Sequence, residues 1–489
     1  MIRRALFLAF ALTLSGCPYL RPERPSLADR LDALVTATEA DGSDIGLLVV
    51  DAASGEVVYE HHAHARLTPA STLKLVTTSA ILAALGPGFR FHTNVSLSGT
   101  TAGGVFEGDL VIEASGDPSL GSWRFPQTAP DATCDRIAQA LVARGIQTWA
   151  GEVRLADPDD DAAALGPGWA WDDAGDDYSA PPTRFSFREN VVDLELTRDA
   201  SRCDAPPKVA ADPPLAALVA DVALDSTAAK SSLACSRERG SEHVACVWRT
   251  PPEACPPDAD VPVSVDDPRA LFASCVDEAL ARAHVTHRPT IVGPPDVRAT
   301  TTQPLLTLDS PPLSALVTAT NKQSLNLYAE RFALTLTRLR TGAESYAALR
   351  DVMQQAAKEL GVSGRELVQV DGSGLSRYDL ATPAALVSVL RASLASPYGA
   401  TYFASLPIAG VDGTLVHRTP TGAARGHVQA KSGSMTGVHT WAGVAERPMD
   451  PTHPRLVFAL MLGGLNAPTL APSAAFDLAA DALVTAPLR

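Results

Sequence analysis

Residues 68–77, TPASTLKLVT, hold a serine and a lysine three positions apart, Ser71 and Lys74, just after a proline. Thr68 has the side chain of an N-cap, and Pro69 suits the first position of a helix. Apolar residues continue through Ile81, Leu82 and Leu85 until Gly86-Pro87 ends them. The stretch therefore predicts a helix with Ser71 and Lys74 on one face of its opening turns. A hydroxyl one turn from an amine is what a nucleophile and its base require. The chain has six lysines, Lys74, Lys208, Lys230, Lys322, Lys358 and Lys431, and only Lys74 has a serine three places before it.

Two further signals follow in order. Ser324-Leu325-Asn326 falls in a helical stretch, 311–336, and Lys431-Ser432-Gly433 in a β-like one. Each is common alone. The ordered trio SxxK, SxN and K-T/S-G, the first at a helix start and the last on a strand, is a known catalytic set. Leu325 stands where Asp is frequent, and Ser432 where Thr is frequent; the serine keeps the hydroxyl.

Around the trio, 26–35 begins like a capped amphipathic helix, and IGLLVVDAASGEVVYEH (45–61) reads as a hairpin. Further helices are predicted at 343–360, 381–394 and 472–484. RGHVQAKSGSMTGVHTWAGVAER (425–447) and RLVFALMLGGL (455–465) read as two paired strands. Between 93 and 297 the texture changes to short β-like runs broken by Pro, Gly and Asp. The expected fold is α+β: an antiparallel sheet packed by helices, its halves drawn from opposite ends of the chain. Residues 26–92 plus 298–489 form the main domain, and 93–297 a large β-rich insertion with room for two subdomains.

The N-terminus, MIRRALFLAFALTLSGC, has two arginines, a short apolar run and small residues before Cys17. This pattern is that of a lipoprotein signal, 1–17, followed by a proline-rich tether, 18–25, and predicts a periplasmic protein anchored through lipid on Cys17, the outer membrane favoured by Pro18. The remaining six cysteines, Cys134, Cys203, Cys235, Cys246, Cys255 and Cys275, all lie within 134–275. An even number in an exported chain predicts disulfides, with fifteen pairings open. Their spacing lacks paired CxxC, and His61, His62 and His64 do not form a zinc-protease pattern, so neither metal nor cofactor is expected. The net charge of −15 over 489 residues argues against nucleic acid as a partner.

LTPASTLKLVTTSA, SGDPSL, PGWAWDDAGDDYSAP, ENVVDLELT, NKQSLNLYAE, DGSGLSRYDLATP, LPIAGVDGTL and AKSGSMTGVHTWAG run in order through nearly the whole chain. In these pieces it resembles the class C low-molecular-mass penicillin-binding proteins, the D-Ala-D-Ala carboxypeptidase/endopeptidase family. That resemblance implies a penicillin-binding/serine β-lactamase-like transpeptidase domain acting on peptidoglycan stem peptides and acylated by β-lactam antibiotics. It implies Ser71 as nucleophile and Lys74 as base, its pKa lowered by enclosure beside a second cation such as Lys431. Ser324 would relay the proton and Asn326 would hold Lys74 and the substrate amide. Lys431 and Ser432, with Gly433 beside them, would meet the terminal carboxylate, and the amides of Ser71 and Ser434 would form the oxyanion hole. Asp173, Tyr178 and Arg377 match a subsite for the diaminopimelate side chain. Two rival readings are a serine β-lactamase, which the long insertion disfavours, and a non-catalytic cell-wall-binding lipoprotein, which the intact motifs disfavour. The turns at Asp371-Gly372 and Asp412-Gly413 read first as turn chemistry.

Overall fold

The computed structural model describes residues 25–488 apart from 157–164, 200, 204, 216–217, 239, 252–253, 256, 294–301, 420 and 466–469. The signal at 1–17, Cys17 and the tether up to 24 lie outside the described residues.

Five antiparallel strands form the central sheet, in the order Val428–Met435, Val438–Glu446, Arg455–Gly463, Asp44–Asp51, Val57–His61. The first and last parts of the chain thus meet where Asp44–Asp51 pairs with Arg455–Gly463. The stretch 425–447, expected to be a single strand, turns back at Thr436-Gly437 and supplies two. Gly437 takes φ +77°, the left-handed conformation such a tight turn needs.

Successive side chains of a strand point to opposite faces, and here both faces are covered. Ile45, Leu47 and Val49 pack with Leu31, Val35 and Phe476, from the helices Leu27–Ala40 and Pro472–Thr485. Leu48 and Val50 pack with Leu75, Val76 and Leu386 on the other face. Burial on both sides explains why 45–50 is an unbroken apolar run. The first helix is closed by a capping box: Asp29 N donates to Ser26 Oγ at 3.1 Å, and Ser26 N to Asp29 Oδ2 at 2.8 Å.

The insertion opens with the strand His92–Ala102, which pairs with Val105–Glu113 on one side and Gln303–Asp309 on the other. The expected boundary at 297 lies outside the described residues, but the strand beyond it still belongs to the insertion's sheet. The return to the main domain therefore falls after Asp309, because Gln303–Asp309 finds its ladder partner in the insertion. Two helices, Pro130–Ala143 and Arg269–Arg282, pack there as well and are joined by a disulfide, Cys134–Cys275. The other pairs are Cys203–Cys255 and Cys235–Cys246. One buried cluster, with Leu110, Leu194 and Trp248 from three separate sheets, runs through the whole insertion.

Candidate active site

Ser71 lies in a 3-10 turn, Ala70–Leu73, that leads straight into the helix Lys74–Leu85. The expected cap by Thr68 does not form. Pro69 takes the position before the turn without a side-chain cap, and Ala70 is left-handed at φ +45°. A non-glycine residue held there stores about 1–3 kcal/mol. The bend is held from outside, since the Pro69 carbonyl accepts from Thr72 Oγ1 and from Thr440 Oγ1, both at 2.6 Å. That tie, from Thr440 on the strand Val438–Glu446, brings the nucleophile's turn up to Gly433, the residue paired with Thr440 on the strand Val428–Met435. Gly433 allows the approach: a Cβ there would stand 2.8 Å from the Ser71 amide nitrogen and from the Pro69 oxygen.

Lys74 is fully buried, and three atoms surround its Nζ: Ser71 Oγ at 2.8 Å, Asn326 Oδ1 at 2.6 Å and the Ser373 carbonyl at 2.8 Å. The Asn326 amide is oriented because its Nδ2 donates to the Tyr178 carbonyl at 2.8 Å. Asn326 Oδ1 and Ser373 O can only accept. A neutral amine has two N–H bonds and one lone pair, so these two acceptors take both hydrogens and the lone pair is left for the Ser71 hydroxyl. Burial pushes Lys74 down to about 7, while the carboxylates of Asp371, Glu330 and Asp379 pull against it. Of the two expected causes, enclosure leads, and the neighbouring cation Lys431 is not among the causes that lower Lys74.

The single helix expected over 311–336 is broken. It ends at Gln323; Ser324 is left-handed at φ +62°, and a second helix starts at Asn326. A left-handed residue after a helix end reverses the chain, and here it lets Ser324 and Asn326 address different lysines. Lys431 Nζ donates to Ser324 Oγ at 2.9 Å and to the Ser432 carbonyl at 2.7 Å. Lys431 is also fully buried, and burial, followed by the charge of Lys74, holds it well below the usual lysine value.

Several contributors carried no sequence signal of their own. Thr414 Oγ1 lies 2.7 Å from Ser432 Oγ. It is presented by the Asp412-Gly413 turn, which Lys322 anchors through Asp412 at 2.7 Å. The Asp371-Gly372-Ser373-Gly374 loop, expected as a plain turn, supplies the Ser373 carbonyl. Glu330, one helical turn after Asn326, accepts from the amides of Gly372 and Ser373. A rule that reads such turns as punctuation misses what their carbonyls face.

The remaining expected residues flank this centre. Tyr178 OH donates to Asp173 Oδ1 at 2.9 Å, in the loop whose Tyr178 carbonyl holds Asn326. Arg377 Nη1 donates to the Thr436 carbonyl at 3.0 Å, two residues beyond Ser434. Ser434 itself is exposed near the end of its strand. The histidine run lies elsewhere: Glu39, His61 and His62 bring their ligand atoms within 4.8 Å of one another and share no residue with the serine centre.

A strained serine turn, a buried lysine with its lone pair on that serine, and a second lysine on a strand edge define an acyl-serine enzyme of the penicillin-binding type. Residues 27–480 match the D-Ala-D-Ala carboxypeptidase 3 (S13) family, and the chain belongs to it. It is 30% identical over 463 residues to a D-alanyl-D-alanine carboxypeptidase of an Actinomadura species, covering 92% of this chain and 83% of that one. The fold is similar to the crystal structure of penicillin binding protein 4 (dacB) from Haemophilus influenzae, with TM-score 0.75, 21% identity, and coverage of 92% and 97%. The complex of that protein with a novel β-lactam is similar at TM-score 0.71, 20% identity, and coverage of 92% and 98%.

Proposed function

We propose that the protein removes the terminal D-alanine from peptidoglycan stem peptides through an acyl-Ser71 intermediate, and that it also cleaves D,D-crosslinks by the same chemistry. The observation that carries this reading is the trio of contacts around Lys74 Nζ. Ser71 Oγ attacks the penultimate D-Ala carbonyl and its proton passes to Lys74. The oxyanion forms against the amides of Ser71 and Ser434. As the C–N bond breaks, Ser324, in contact with Lys431, relays the proton taken up by Lys74 to the leaving amine, which returns Lys74 to its neutral form and leaves the Ser324 hydroxyl intact. Water then hydrolyses the ester and restores the Ser71 hydroxyl. Carboxypeptidase and endopeptidase reactions differ only in the leaving amine.

The terminal carboxylate of the substrate meets Lys431 and Ser432, the latter held by Thr414. Its negative charge would favour the protonated form of Lys431, which burial otherwise disfavours. A β-lactam offers a strained acyl group and a carboxylate in the same relation, so it acylates Ser71 and departs slowly. Asp173, Tyr178 and Arg377 receive the stem-peptide side chain on this reading. Membership of the carboxypeptidase family favours it over a β-lactamase or a binding module.

The location belongs to the same proposal. The leader and Cys17 support export and lipid anchoring, and three disulfides fit an oxidising compartment. Mass spectrometry of muropeptides after incubation with the purified protein tests the reaction. Loss of terminal D-Ala supports it, and unchanged pentapeptide overturns it. Partition of the protein into detergent, abolished by Cys17→Ala, tests the anchor.

A further inference from the structure

Glu330 is a fully buried carboxylate with no place in the three-motif chemistry. It stands four residues after Asn326 on the helix Asn326–Thr341, so both side chains face the same way. Its Oε1 accepts from the Ser373 amide at 2.7 Å; its Oε2 accepts from the Gly372 amide and from Tyr346 OH, both at 2.9 Å. The loop it grips is forced close to two backbones. A Cβ on Gly372 would overlap the Ala329 carbonyl, and one on Gly374 would overlap the carbonyl of Ala70, the residue before the nucleophile. Asp371 holds the same loop from the other side. It accepts from the amides of Ser373, Gly374 and Ser376 and from Trp169 Nε1. The outcome of both grips is the direction of one carbonyl, that of Ser373, toward Lys74 Nζ.

We propose that Glu330 is a positioning residue for acylation: by holding the amides of Gly372 and Ser373 it aims the Ser373 carbonyl at Lys74, and so sets where the lone pair of that amine points and how readily the amine gives up its proton. This rests on the acyl-serine reading above. The groups that face Lys74 are Glu330 from its helix, Asp371 and Asp379 from the loop and the residues following it, and Lys431 from the sheet edge. Asp379 Oδ1 accepts from the Val370 amide, whereas its Oδ2 has no donor; burial beside Asp371 favours its neutral form, leaving Glu330 and Asp371 as the acceptors of many donors. Burial and the charge of Asp371 push Glu330 up from the usual carboxylate value, and the three donors that hold its oxygens pull against them.

The test is Glu330→Gln, read by the rate of acylation by a fluorescent penicillin over about four pH units centred on the Lys74 value. Glutamine keeps the size but turns an amide N–H₂ toward donors that need an acceptor. The expected results are acylation at least about tenfold slower on the plateau and an acid limb moved to lower pH by about half a unit, because a misaimed Ser373 carbonyl no longer accepts from the protonated form of Lys74. Tyr346→Phe, which removes one donor from the carboxylate without touching the loop amides, moves the limb the same way by less. It serves if the glutamine variant does not fold. A lowered melting temperature with the limb unmoved in both variants overturns the proposal and leaves Glu330 a packing residue. Unchanged acylation and an unchanged limb overturn it too. Wild-type protein that takes no label, or Ser71→Ala that still does, overturns the acyl-serine reading first and the proposal with it.

Discussion

The Nζ of Lys74 and the Oδ1 of Asn326 lie 2.6 Å apart across 252 positions of chain. Asn326 presents a neutral acceptor, so it takes a hydrogen from the amine while favouring the ammonium form far less than a carboxylate would. Asn326→Asp would place a carboxylate at that distance and stabilise the charged lysine. The acid limb of kcat/KM for a D-Ala-D-Ala peptide should then move to higher pH by about one unit or more. The profile of the variant against wild type checks this.

Wild type has its own expected profile. Burial brings Lys74 down to about 7, and the base is competent only when neutral. Activity is therefore lost as pH falls through about 7 and rises toward a plateau above it, the limb falling by about tenfold per pH unit below the turning point. Acylation rates across a buffer series measure it, free of any later hydrolytic step.

Gly433→Ala should remove acylation while leaving the fold intact. Its Cβ would press on the Ser71 amide and the Pro69 carbonyl, forcing the strand off the nucleophile's turn and opening the oxyanion hole. A lost donor there slows reaction by about 10²–10³-fold. Penicillin labelling, with circular dichroism as the control for folding, reads the outcome.

Thr414→Val removes the hydroxyl 2.7 Å from Ser432 Oγ. One neutral hydrogen bond is worth about 0.5–1.5 kcal/mol, so KM should rise by a few-fold with kcat little changed. The effect should vanish for a peptide whose C-terminus is amidated, since that substrate has no carboxylate to be met.

The disulfide Cys134–Cys275 spans 141 positions and joins two helices of the insertion. Replacing both cysteines by alanine should cost about 2–5 kcal/mol and lower the melting temperature. Ser71, Lys74 and Lys431 lie outside the insertion, so penicillin labelling at room temperature should survive.

The sequence made the parts of the sheet and the catalytic trio legible for different reasons. The apolar runs at 45–50 and 455–465 and the helix ending at Gly86 follow local rules of periodicity and punctuation. The trio was visible because its residue types and order are those of a known chemistry. What stayed hidden depends on contacts between distant backbones. Thr68 looks like a cap, but the Thr440 hydroxyl claims the Pro69 carbonyl and bends the chain instead. The break at Ser324 is invisible to propensity because nothing about Gln-Ser-Leu-Asn demands a left-handed serine. The return strand Gln303–Asp309 belongs to the insertion only because its hydrogen-bond partner does. Glu330 and the Ser373 carbonyl matter through where they point, and no spacing rule reports a direction.

The pairing of Asp44–Asp51 with Arg455–Gly463 also sets a timetable for synthesis. A ribosome releases the serine and its lysine early, yet the strand carrying Lys431 and the ladder that seats it emerge among the last residues. Until then the nucleophile has no finished wall opposite it. A chain that lacks those last residues is therefore harmless to the stem peptides its completed form acts on, and a protein truncated before residue 455 would be inert however well its earlier portion folded.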